Sequence, residues 1–262
     1  MEKRKPKQVG IASYFYTFLV YTFLYLPMVM VVLYSTNTSN NNLVFKGFTL
    51  KWYASMVTNE ELMKSLGLTL ALGLVSTAIS VILGTLATIG MYRYEFKGKE
   101  LLDNLMYIPV VIPELVIGIA SLATFTMMGI TMSFWTLVIA HVTFCVPFII
   151  ITLRSRIAGF DQSVEEAAMD LGANQFRTLM RVTIPMLMPG IISGAMLSLT
   201  LSLDDVIISY FVAGAGQMTL PIRIYGMARG KISTEVYALS SAIIFLTVIG
   251  YVIASRFKED EE

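Results

Sequence analysis

Apolar residues fill six long blocks of this chain, at 11–34, 66–92, 104–128, 133–153, 186–210 and 236–256, with short polar stretches between them. A helix rises about 1.5 Å per residue, so roughly 20 apolar residues cross the hydrocarbon of a bilayer. The pattern therefore predicts six transmembrane helices and leaves no length for a soluble domain. The expected fold is all-α and polytopic, one membrane domain over residues 1–262. The first block follows MEKRKPK, but it is too long for the apolar region of a signal peptide and no small-x-small cleavage site follows, so it reads as a retained span.

Within the blocks, small residues recur every fourth position. Ser76, Ser80, Gly84 and Thr88 line one face of the second span, and Gly190, Gly194, Ser198 and Ser202 one face of the fifth. Such stripes let backbones approach closely, so both spans are expected deep in a bundle. The third block holds Pro109 and Pro113 with Glu114 directly after, which predicts a kink beside a wet cavity or a membrane surface. Trp52 and Tyr53, outside the first two spans, mark either the headgroup level or a docking surface.

One segment breaks the oily pattern. In SVEEAAMDLGANQFRTLMRVTIP, Ser163 and Glu166 fit a capping box that starts a helix at Val164. Val164, Ala167, Ala168 and Leu171 then share a face, while Glu165, Glu166 and Asp170 project elsewhere. Gly172 suits a left-handed C-cap, and Asn174 suits the cap of a second helix that Pro185 and Pro189 would end or kink. The expectation is a helix–turn–helix elbow over about 160–185, and an exposed alanine pair suits a projection that fills a partner's socket.

Charge sets the expected orientation. With the N-terminus inside, the inner stretches hold Lys3, Arg4, Lys5, Lys7, Arg93, Lys97, Lys99, Arg154, Arg156, Arg177, Arg181, Arg256 and Lys258, which is 13 of the 19 Lys and Arg. The outer stretches hold Lys46, Lys51, Lys64, Arg223, Arg229 and Lys231. The excess places both termini and the elbow in the cytoplasm.

The elbow also carries a resemblance. EEAAMDLGANQFRTLMRVTIP is similar to the EAA motif of binding-protein-dependent ABC importer permeases, with Glu166, Ala167, Ala168, Gly172 and Pro185 in their places and Val182 and Ile184 as apolar replacements. KWY, YRYEFKGK, HVTFCVPFIIITLRSRIAGFD and LSLDDVIISYFV extend the likeness to the PotC-like permeases of spermidine/putrescine importers. The resemblance implies a type I importer transmembrane domain in a bacterial inner membrane. It implies that the elbow is the coupling helix of an ATPase groove, and that the partners are a second, PotB-like permease, a PotA-like ATPase dimer and a PotD-like extracytoplasmic binding protein.

The chain has no G-x-x-x-x-G-K-[ST] loop, since the GK pairs at 98 and 230 lack the upstream glycine and the hydroxyl. ATP and magnesium are thus expected on the ATPase partner, with no cofactor held here. His141 and Cys145 are single, which excludes histidine clusters and cysteine-rich metal sites, and His141 reads as a hydrogen-bonded packing residue. No Ser, His and acid set supports an enzyme.

The candidate solute path rests on acids within the spans. An Asp at a helix centre costs about 2.5–3.5 kcal/mol on insertion scales, so Asp204 and Asp205 ask for a function. Successive positions differ by about 100°, so the two face differently. Asp205 continues the stripe of Ser198 and Ser202 toward the bundle interior, and Asp204 follows Leu197, Thr200 and Leu201. Either could instead cap a local break or pair with a base. Glu114 is a weaker candidate, and Tyr210 or Phe211 could form a gate. Acids without Lys or Arg in the span interiors suit a cationic, polyamine-like solute. Another cationic cargo or ferric iron is the nearest rival, and a standalone channel or ion-coupled carrier a more distant one.

Overall fold

The computed structural model describes residues 10–39, 44–159, 161–230 and 232–259, so Lys3, Arg4, Lys5, Lys7 and Lys231, counted above for orientation, lie outside it. The described chain is helical: α1 (Ile11–Ser35), α2 (Lys51–Thr58), α3 (Glu60–Arg93), α4 (Lys99–Val111), α5 (Glu114–Met127), α6 (Phe134–Ile157), α7 (Ser163–Asp170) and α8 (Gln175–Thr178). A π-turn, Leu179–Thr183, leads into α9 (Ile184–Asp204), followed by α10 (Ile207–Val212), α11 (Leu220–Ala228) and α12 (Thr234–Glu259). No strand is formed among the described residues; the one β-bridge joins Asn37 to Phe48.

Four helices are long and apolar enough to cross a bilayer: Ser13–Ser35, Glu60–Arg93, Phe134–Ile157 and Gln175–Asp204. A fifth is present if α4 and α5 form one span, and Thr234–Gly250 is a shorter apolar helix. Two of the expected spans are interrupted. The block 104–128 is not one kinked helix: α4 and α5 meet at 109°. Pro109 stays inside α4, whereas Pro113 pushes Ile112 out of the helical region to ψ 134° and itself sits at ψ 136°, and two extended residues in succession redirect the chain. The fifth span ends at Asp204 rather than at 210, because Asp205 is extended at ψ 125°.

The chain divides into two units. One contains Met1–Met63 and Gly226–Glu262. Here α12 packs against α1 and α2. The Tyr53 hydroxyl bonds Ser35 Oγ at 2.8 Å and Ser241 Oγ at 3.1 Å, Trp52 Nε1 donates to the Asn37 carbonyl at 2.7 Å, and Glu235 accepts from Asn59 at 2.6 Å and from Ser55. Trp52 and Tyr53 are therefore half-buried ties within this unit.

The other unit, Lys64–Tyr225, is built around α6. Its buried apolar residues form two groups. One joins Leu72, Leu137, Phe144 and Ile208, and the other joins Ile89, Ile149, Leu153 and Leu187. The small stripes face inward as expected: Ser76, Ser80, Thr88, Ser198 and Ser202 are buried. At Gly84 a Cβ would lie 2.6 Å from Ile149 Cγ2, so only glycine admits α6 at this distance from α3.

Candidate functional site

Two places in the Lys64–Tyr225 unit gather the chemistry. The first is where the two helix breaks meet. Helices α5 and α10 pack together, and a Cβ on Gly118 would stand 2.9 Å from Phe211 and 3.4 Å from the Ile208 backbone, so the close approach depends on that glycine. Glu114 opens α5 directly after the first break, and Asp204 and Asp205 flank the second. Glu114 lies one turn before Gly118 on α5, the helix that packs on α10, so the two acid-bearing breaks stand side by side.

The three acids are not equivalent. Asp205 is buried on the face of Ser198 and Ser202, as its register implied. It also caps the break: its oxygens accept the N–H groups of Ile208 at 3.1 Å and Ser209 at 2.8 Å. Beside it His141 is fully enclosed, with Nδ1 2.7 Å from Ser202 Oγ, Nε2 2.9 Å from Ser209 Oγ and 3.4 Å from Asp205 Oδ2. Ser202 Oγ in turn meets Ser76 Oγ at 3.1 Å. His141 is thus the hydrogen-bonded packing residue expected of it, joining α3, α6, α9 and α10. Asp204 is exposed on the side of Leu197 and Thr200, and Glu114 is half-exposed. Tyr210 is exposed on α10, while Phe211 makes an edge contact with its ring at 5.8 Å and packs toward the core. Among the described residues no three of His, Cys, Asp and Glu stand close enough to hold a metal ion.

The second place is the elbow. Gly172 has φ +90°, the left-handed conformation expected of it, and Asn174 Oδ1 accepts the Arg177 N–H at 2.8 Å. One expectation is corrected. Ser163 does not cap α7 but is its first residue, because Asp161 Oδ1 takes the Ser163 N–H at 2.9 Å and so satisfies a free donor one position earlier. These bonds from Ser163 hold the exposed Asp161 carboxyl below its ordinary range. Of the two outcomes expected at Pro185 and Pro189, an end does not occur: α8 continues through the π-turn into α9 over Gln175–Asp204. The widened turn makes room for the Pro185 ring against the preceding carbonyls.

Elbow residues divide by exposure. Glu166 and Ala167 face outward with Leu171, which is 90% exposed, and Phe176, which is 68% exposed, while Ala168 is half-buried. Glu165 turns inward, accepting from Arg93 Nη2 at 2.5 Å and from the Thr183 hydroxyl, and Arg93 also donates to Thr183 Oγ1 at 2.8 Å. Sequence reasoning missed Glu165. Its register on the helix, one position before the motif glutamate and about 100° away from it, separates their directions, but nothing along the chain pairs it with Arg93.

The chain matches the family model described as "Binding-protein-dependent transport system inner membrane component" over residues 80–259. It is 37% identical over 237 residues to the spermidine/putrescine transport system permease protein PotC of Escherichia coli K12, covering 90% of this chain and 89% of that one. It is 35% identical to the putrescine transport system permease protein PotI of the same strain, over 88% and 85% of the two chains. The crystal structure of a bacterial ABC transporter that imports the acidic polysaccharide alginate shares the fold, with a TM-score of 0.70 at 15% identity over 99% of each chain. This chain is therefore a multi-pass permease subunit of an ABC importer and belongs to the binding-protein-dependent transport system inner membrane component family.

Proposed function

We propose that this permease passes polyamines, spermidine or putrescine or both, across a bacterial inner membrane. The observation that carries the reading is the placement of Glu114, Asp204 and Asp205 at two helix breaks whose limbs α5 and α10 pack together. Helix breaks leave carbonyls without partners, and a C-terminal helix end is the negative end of its dipole, so these acids and the end of α9 present acceptors to a cation. The broken limbs 104–128 and 186–210 contain no Lys or Arg to oppose it. Asp204 and Glu114, the more open two, would touch an ammonium. Asp205 would act from behind, fixing the α9–α10 corner and adding its field. Tyr210, exposed on α10, would close around the solute's methylene stem, with Phe211 packed behind it. The similarity to PotC and PotI, a spermidine/putrescine permease and a putrescine permease by name, supports the same cargo.

In this reading the chain stands with both termini and the elbow in the cytoplasm as one domain. It pairs with a second permease, takes cargo from an extracytoplasmic binding protein and is driven by an ATPase dimer that holds ATP and magnesium. Glu166, Ala167, Ala168, Gly172 and Pro185 shape the elbow that docks there. Exposed Leu171 and Phe176 suit burial in a protein groove. Closure of the dimer would rock the spans between inward- and outward-open states as rigid bodies.

Uptake of radiolabelled spermidine and putrescine by cells holding the whole transporter tests this. Asp204→Asn, Asp205→Asn and Glu114→Gln should each lower uptake with assembly retained, and Glu166→Arg should abolish it. Full uptake by all three acid variants would refute the path, and no uptake of either polyamine by an assembled wild type would refute the cargo.

A further inference from the structure

Helix α7 has no buried residue, so apolar packing does not fix it to the spans. A cavity of about 250 Å³ lies against its inner side, lined by Arg93, Tyr94, Gln162, Glu165, Glu166 and Met169 among others. Across that side runs one closed polar ring. Glu165 accepts from Arg93 and Thr183, and Arg93 donates to Thr183, with the Glu165 and Arg93 side chains only 13% and 22% exposed. Each member sits on a different mechanical part. Arg93 is the last residue of α3, a helix of 34 residues and hence about 51 Å, longer than the hydrocarbon is thick. Thr183 closes the π-turn, the one non-α turn in the helix Gln175–Asp204. Glu165 stands beside Glu166 on α7, about 100° around the helix from it, and of the two it is Glu165 that is half-buried.

We propose that Glu165, Arg93 and Thr183 form a latch that transmits movement of the elbow to α3 and to the π-turn at the base of α9; this rests on the elbow being the surface on which an ATPase acts. Glu165 is a positioning residue: it touches neither nucleotide nor solute. Helix α7 packs on α8 and on the π-turn without a buried residue, so the ring is its polar tie to the end of α3. With the ring closed, a push on the outward face must move Arg93 and Thr183, and the ends of two spans with them. A partly buried, bidirectional ion-pair cluster suits this, because its strength falls steeply once the groups separate.

The experiment uses the complete transporter in proteoliposomes with its binding protein, measuring ATP hydrolysed and solute accumulated in the same sample. Glu165→Gln and Glu165→Ala should still bring down the ATPase on purification and still hydrolyse ATP, while solute moved per ATP falls about tenfold. Thr183→Val, which keeps the ion pair, should show a smaller loss. The exchange Glu165→Arg with Arg93→Glu should recover most of the ratio, which a merely local loss of stability would not. The latch is overturned if the single variants keep the wild-type ratio, or if the exchange recovers nothing. A wild-type chain that brings down no ATPase overturns the docking reading instead, and the latch with it.

Discussion

Replacing His141 with leucine removes the centre of the buried polar chain while keeping the site filled. Two bonds across helices are lost, to Ser202 on α9 and Ser209 on α10, at 2.7 and 2.9 Å. Hydrogen bonds between membrane helices average about 0.6 kcal/mol and reach about 1.7, so the pair contributes about 1–3 kcal/mol. Ser202 keeps Ser76 as a partner and Asp205 keeps two backbone donors. Ser76→Ala is the internal control: it removes the bond to Ser202 and a bond to its own Leu72 carbonyl, only the first of which joins two helices. Its expected cost is about 0.6 kcal/mol. Reversible unfolding in mixed micelles as a function of denaturing detergent, followed by circular dichroism, reads both. His141→Leu with wild-type stability, or Ser76→Ala costing more than His141→Leu, would refute the assignment of His141 as the hub that holds the α9–α10 corner.

Three further outcomes are expected. Gly172→Ala places a side chain at φ +90°, a strain of about 1–2 kcal/mol confined to the turn, so hydrogen exchange should rise at α7 and α8 and not in α6. Leu171→Asp, at a position 90% exposed, should leave the melting temperature unchanged while reducing recovery of the ATPase in pull-down. Asp161 has a depressed pKa from its bonds to Ser163, so its support of α7 is present above the unfolded value of about 3.9 and is lost as pH falls through the lower folded value. Asp161→Ala, which removes the acceptor, should speed exchange of the Ser163 amide at neutral pH, and an unchanged rate would count against the cap.

The sequence made legible those features that depend on local spacing. The four-residue stripes identified the buried faces of α3 and α9, because a helix repeats its face nearly every fourth position. The caps at Gly172 and Asn174 were readable because left-handed backbone and a short side-chain acceptor have strong residue preferences. Asp161 was overlooked because its bond to Ser163 replaces the expected one by a shift of a single residue. The 109° break at Pro113 exceeded the predicted kink because the Ile112 and Pro113 dihedrals act together, and a hydropathy window does not register direction. The latch and the His141 chain lay outside reach for another reason. Arg93 and Glu165 are 72 positions apart and His141 and Ser209 are 68, and pairing at that separation is set by packing of whole helices. Asp205 was legible in both respects: its register foretold burial, and capping a local break stood among its alternatives.

The most direct test of the central claim is accumulation of radiolabelled spermidine and putrescine in proteoliposomes that contain this permease with its partner permease, ATPase and binding protein. The account requires accumulation of at least one polyamine above its outside concentration, dependent on ATP, competed by unlabelled polyamine and lowered by Asp204→Asn. Accumulation that persists without ATP, or an assembled, ATP-hydrolysing complex that moves neither polyamine, would contradict it.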